Sequence, residues 1–132
     1  MLGEVRIYVK AALYNYNVYN VFLGAPDAVD SNSIHVTSRS FTSVSVQWTT
    51  PQNNYDAIRY YQFQLGECAT SDQTGSECQP VYTQYRSRST SLSYTLKRLK
   101  PFKTYTLKIV AYNNVGPGPF SNAVAFQTVQ QG

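Results

Sequence analysis

Between Leu99 and Ser121 the chain reads LKPFKTYTLKIVAYNNVGPGPFS, and Tyr105, Leu107, Ile109 and Ala111 alternate there with Thr106, Lys108 and Val110. Successive side chains of an extended chain point to opposite faces, so these four share one face of a half-buried strand. A Leu-x-Pro-x-x-x-Tyr turn (Leu99, Pro101, Tyr105) leads into the strand, and Asn113, Gly116, Gly118 and Ser121 lead out of it. A strand with one apolar face is stable only inside a larger sheet that buries that face, so the rest of the chain must supply further strands.

It does so in order. Ile34 and Val36 make a short first strand. In SVSVQWTTP, Val44, Val46 and Trp48 point inward on a second strand. Ile58, Tyr61, Phe63 and Leu65 supply the inward side of a third, with Tyr60, Gln62 and Gln64 facing the other way. Val81 to Tyr85 reads as a fourth strand carrying Tyr82 and Tyr85 near the outer face, and Arg86 to Thr90 turns the chain. Leu92, Tyr94 and Leu96 form a fifth, Thr104 to Asn113 the sixth, and Asn122 to Thr128 the seventh, with Ala123, Ala125 and Phe126 packing. No stretch has a 3.6-residue rhythm, and 12 Tyr with abundant Ser, Thr and Val favour strands. The length of 132 residues allows one domain with a single core, plus an appendage.

The corner at Leu99, Pro101 and Tyr105, the spacing of Asn113, Gly116, Gly118 and Ser121, the placement of Trp48 and the Ile58, Tyr61, Phe63 pattern agree in register over residues 26–129. In these features the chain resembles the fibronectin type III family. The resemblance implies an all-β fold, a seven-stranded antiparallel immunoglobulin-like β-sandwich, with Trp48, Tyr61, Leu99, Pro101 and Tyr105 as structural core. It also implies a tyrosine corner, the Tyr105 hydroxyl bonding to backbone a few residues upstream. A true immunoglobulin domain would carry its core Trp on the third strand beside an inter-sheet disulfide, which does not match Trp48 on the second. The expected division is residues 25–132 as the fibronectin type III domain and residues 1–24 as a strand-forming arm or the remnant of a preceding module.

In the arm, Val5, Ile7 and Val9 alternate with charged and Tyr residues, and LYNYNVYNVFLG follows, so two short strands, arranged as a hairpin, fit. Leu13 to Leu23 is uncharged, free of Pro and rich in aromatic and β-branched residues, an aggregation hazard if left as an open edge. The domain itself, a second copy of the chain or an upstream domain is expected to cover it. Tyr14, Tyr16, Tyr19 and Phe22 are its candidate contact residues. Gly24 to Asp30 then reads as the linker entering the domain.

The two cysteines, Cys68 and Cys78, bound one polar loop, CATSDQTGSEC, and are expected to form a disulfide. Closing about 11 residues constrains the unfolded chain by roughly 3 kcal/mol on the entropic account. A bridge points to an oxidising compartment, and hence to an extracellular location. Zinc would need four ligands, which two thiols and the single His35 do not supply. There is no run of 18 apolar residues to insert in a membrane and no continuous apolar signal region, so the chain is expected to be a piece of a longer secreted or receptor protein.

No catalytic constellation can be assembled. His35 alternates outward between Ile34 and Val36, and Asp27, Asp30, Asp56, Glu67, Asp72 and Glu77 are scattered over the linker and loops. The Gly116-Pro117-Gly118 stretch interrupts backbone donors with Pro and precedes a strand, so it is a hairpin turn and not a phosphate cradle. No cofactor is expected. A net charge of +4 eases association with anionic surfaces without demanding nucleic acid. Lys97, Arg98, Lys100 and Lys103 cluster at the corner; the resemblance permits a heparin-like ligand there, the alternative being a solvated loop partly neutralised by Glu67, Asp72 and Glu77. At the opposite end Asn53, Asn54, Tyr55 and Phe120 offer polar and aromatic contacts of the kind protein interfaces favour. RGD, a paired Trp-Ser box and Asn-x-Ser/Thr are all absent from the sequence. The reading is a non-enzymatic extracellular protein-interaction or spacer module of an adhesion molecule, receptor or matrix protein. A sulfated-glycan-binding module, or an accessory domain of a secreted multidomain enzyme, are the alternatives.

Overall fold

A computed structural model describes residues 5–11, 17–69, 78–87 and 89–131, with side chains for 22–69, 78–79, 85–87 and 89–131. Tyr14, Tyr16, Asp72, Gly75 and Glu77 lie outside the described residues, as do the side chains of Tyr19 and Tyr82. Among the described residues nine strands follow one another: β1 (Val5–Ala11), β2 (Asn17–Leu23), β3 (His35–Arg39), β4 (Val44–Gln47), β5 (Tyr60–Cys68), β6 (Cys78–Ser87), β7 (Ser93–Leu96), β8 (Thr104–Tyr112) and β9 (Val124–Gln127). Strands β3 to β9 are the seven of the sandwich. They form a three-stranded sheet, β3-β4-β7, and a four-stranded sheet, β6-β5-β8-β9, while β1 and β2 pair as a separate antiparallel hairpin.

All neighbouring strands are antiparallel, which lets alternating residues face the other sheet. Val44, Val46, Leu96, Phe63, Leu107 and Ile109 are fully buried between the sheets. Trp48 sits at the centre, its ring edge-on to Tyr61 (5.1 Å) and Phe63 (5.3 Å). Phe63 stacks on Tyr94 of the facing sheet at 4.8 Å, so one aromatic cluster joins both layers.

Several expectations are corrected by this packing. Tyr85, expected outward, is in register with Phe63 and packs against the core. In β9 the inward residues are Val124 and Phe126, whereas Ala123 and Ala125 are exposed; Phe126 stacks on Tyr105, its partner in register, at 5.7 Å. The phase that buries a Phe wins over the phase that buries two Ala because it removes more apolar area from water. Val36 and Leu92 are more than a third exposed, Val36 because β3 is an edge strand with a bulge between Val36 and Ser38. Pro101 is exposed and contributes to the turn, not to the core. The entry segment is not a free linker: Pro26 and Val29 are buried. Cys68 and Cys78 are bridged, and they occupy facing ends of β5 and β6, so the disulfide closes a strand hairpin.

The corner before β8 has the expected geometry. The buried Tyr105 hydroxyl accepts from the Lys100 backbone N–H at 2.8 Å, and burial raises its pKa. Thr128 closes the same turn from β9's end: its hydroxyl donates to the Lys100 carbonyl (2.6 Å) and accepts from the Lys103 N–H (2.9 Å). Tyr85 has a weaker counterpart, donating to the Lys97 carbonyl at 3.5 Å. Tyr105→Phe should therefore destabilise the domain by about 1–3 kcal/mol, whereas Tyr85→Phe should cost under about 0.5 kcal/mol; urea unfolding of both variants measures the difference.

Candidate functional site

At one end of the sandwich three segments of the chain meet, and a single buried amide joins them. Asn113 follows β8. Its Nδ2 donates to the carbonyls of Gly24 (2.7 Å), Asn53 (3.1 Å) and Asp56 (3.3 Å), and its Oδ1 accepts from the N–H groups of Val115 (2.9 Å) and Gly116 (3.2 Å). Entry segment, β4–β5 loop and β8–β9 loop are thus held together by a carboxamide whose donors and acceptor are all used. Gly116 has φ 146°, open to glycine alone among common residues. A Cβ on Gly118 would collide with the carbonyl of Pro26, so the turn there is shaped by close approach of the entry segment.

Of the four residues expected to form an interface here, two have internal duties. Asn54 Nδ2 donates to the Ala25 carbonyl (2.7 Å) and to Asp27 Oδ1 (3.0 Å), which makes it a brace and not a free contact residue. Asn53 Oδ1 accepts from the Tyr55 N–H at 3.0 Å, shaping the turn. Tyr55 itself is 73% exposed at φ 70°, and Phe120 is 44% exposed. Of the arm residues, Phe22 is 39% exposed in β2 and the Tyr19 backbone pairs with Val9.

At the opposite end the basic cluster is divided. Glu67, near the end of β5, accepts from Lys100 Nζ at 2.7 Å and lies 3.6 Å from Lys103 Nζ. The Lys100 hydrogen bond holds the Glu67 carboxyl below its ordinary pKa, and the same contact raises that of Lys100. Lys97 and Arg98 instead border a shallow hollow of about 450 Å³ lined by Tyr85, Tyr94 and Thr95, along the seam between the two sheets.

A third feature was not singled out from sequence. On the outward face of the four-stranded sheet, Tyr60 and Tyr112 are partners in register and their rings stack at 4.5 Å with planes 16° apart. The Arg86 guanidinium lies over the Tyr60 ring at 3.8 Å. Arg59, Tyr60, Arg86, Asn113 and Asn114 line a depression of about 630 Å³. The sequence offers two outward Tyr at the same end of antiparallel neighbours, but its pattern places Arg86 in a turn, whereas β6 runs on to Ser87.

The Glu67 contacts have a defined pH window. A carboxylate with a depressed folded pKa stabilises above its unfolded pKa and loses that contribution as pH falls through the folded value; the raised Lys100 loses its own as pH rises through its folded value. Glu67→Gln should give a small, salt-sensitive loss of stability near neutral pH that vanishes in acid, read by urea unfolding. It should also strengthen retention on heparin, because two lysines lose their shared counter-charge.

Residues 27–127 match the fibronectin type III domain family. Over 87 residues the chain is 37% identical to human phosphatidylinositol phosphatase PTPRQ, a match covering 66% of this chain and 4% of that protein. Over 107 residues it is 29% identical to the rat netrin receptor DCC, covering 81% of this chain and 6% of the receptor. The chain thus spans only a small fraction of these relatives. The solution structure of the sixth fibronectin type III domain from human fibronectin type III domain containing protein 3 superposes with a TM-score of 0.57 at 29% identity, covering 83% of this chain and 91% of that one. With the corner, the two sheets and the family match in agreement, the chain belongs to the fibronectin type III family.

Proposed function

We propose that the domain is a non-catalytic protein-interaction and spacer module in the extracellular part of a receptor, adhesion or matrix protein. The observation that carries the reading is Tyr55. A large aromatic side chain is displayed at 73% exposure from a turn braced by Asn53 and Asn113. Such a residue offers a partner broad apolar area at little conformational cost, which is how aromatic anchors act in interfaces. The bridge between Cys68 and Cys78 and the likeness to a netrin receptor support the extracellular setting. The likeness to PTPRQ favours, as a second reading, a non-catalytic domain within a larger enzyme. For residues 1–24 the proposal is a strand-forming arm, open to self-association, or the remnant of a preceding module, since β1 and β2 pair with each other and with no other described strand.

A fluorescent tetramer of the domain applied to cultured animal cells tests the main reading. Surface staining should be removed by protease, weakened by Tyr55→Ala and Phe120→Ala, and indifferent to heparinase. Staining lost on heparinase treatment and on neutralising Lys97 and Arg98 would transfer the function to sulfated glycans. Absence of staining on every cell type would sink the proposal.

A further inference from the structure

We propose that the outward face of the β6-β5-β8 strands is a second docking surface, and that its occupant is an extended acidic segment of a partner protein whose carboxylates are read by Arg86 and Arg59. Tyr55 is not among the residues that line this surface.

Among the described residues the charge on this face has one sign. Glu67 is the only carboxylate in β5, β6, β8 and β9, and it is in register with the inward-facing Tyr105 at the corner. Arg86 and Lys108 point outward, and Arg59 adjoins the start of β5. The nearest acid in sequence, Asp56, is already engaged: its Oδ2 accepts from the Asn114 N–H at 2.6 Å and its Oδ1 from Asn114 Nδ2 at 3.4 Å. Among the described residues neither Arg59 nor Arg86 has a carboxylate within ion-pair distance.

Arg86 is also arranged in advance of binding. Its guanidinium carbon lies 3.8 Å over the Tyr60 ring, whose other neighbour in the row is Tyr112, so cation and two rings lie in one row across three strands. A cation over an aromatic ring is attracted to the ring face without using up its N–H donors, and an arginine can donate two parallel hydrogen bonds to one carboxylate. Asn113 fixes the adjoining wall of the depression through its bonds to three loops. Tyrosine and arginine around a partly apolar centre are the composition of protein-binding surfaces. A sulfated glycan would instead favour dense cations, and here stacked tyrosines take up the middle of the face.

The test is fluorescence anisotropy of the full chain with a fluorescein-labelled peptide of alternating Glu and Ser. The wild type should bind it, the matching Lys and Ser peptide should not bind, and added salt should weaken the complex. The double variant R59Q/R86Q should lose about tenfold or more in affinity, with thermal unfolding verifying that it is folded. Arg86→Lys, which keeps the charge but loses the planar fork, should lose most of the effect of Arg86. K97Q/R98Q and Tyr55→Ala should bind as the wild type does, which separates this face from the corner cluster and from the Tyr55 turn. The proposal is overturned by failure of the wild type to bind, by unchanged affinity in R59Q/R86Q, or by loss of binding in K97Q/R98Q or Tyr55→Ala instead. Preferential binding of a heparin oligosaccharide through the same two arginines would equally overturn it in favour of a glycan site.

Discussion

The register between β5 and β8 sets most of what this domain presents to its surroundings. Their ladder runs without a break from Tyr60 opposite Tyr112 to Glu67 opposite Tyr105. Because side chains alternate with a period of two, a slip of one residue would send either Phe63 and Leu65 or Leu107 and Ile109 to the outside. The burial of those four side chains therefore locks the register. The same ladder sets two surface features at its ends: the stacked tyrosines where β5 begins, and the carboxylate placed beside the corner lysines where β5 finishes. A core constraint thus decides where aromatic and charged groups meet solvent.

Much of the fold was legible in the sequence because one strand's periodicity suffices to say which of its residues face in. Val44, Val46 and Trp48, or Tyr105, Leu107, Ile109 and Ala111, need no knowledge of their partners. The corner was legible for a related reason, since the hydrogen bond from the Lys100 N–H to the Tyr105 hydroxyl closes within five residues of chain. Where two phases competed, as in β9, alternation alone did not choose between Ala and Phe. The direction of Tyr85 is not legible from its own strand because it is inherited from Phe63 across the ladder.

The candidate sites were less legible, and for one physical cause. Asn54 reads as an exposed polar loop residue until the entry segment, 27 to 29 residues earlier in the chain, is brought beneath it to accept its hydrogens. Lys100 and Lys103 read as half of a basic patch until Glu67 arrives from another strand. Arg86, Tyr60 and Tyr112 lie far apart in sequence and become one group only when three strands align. Each of these depends on contacts of long sequence separation, about which local pattern is silent. The net charge of +4 conceals the same organisation: one share is tied down by Glu67 at the corner, and another stands on the outward sheet face near the opposite end.

The Asn113 amide has a mechanical consequence as well. Its bond to the Gly24 carbonyl, together with that of Asn54 to Ala25, fastens the chain's entry to the loop that displays Tyr55. In a tandem array of such domains, tension would arrive along this entry segment. It would load these amide bonds, together with the backbone bonds from the Gly24 N–H to the Asn54 carbonyl and from the Asp27 N–H to the Gln52 carbonyl, before reaching the ladder of the sheets, so the aromatic turn stands on the path by which pulling force enters the domain.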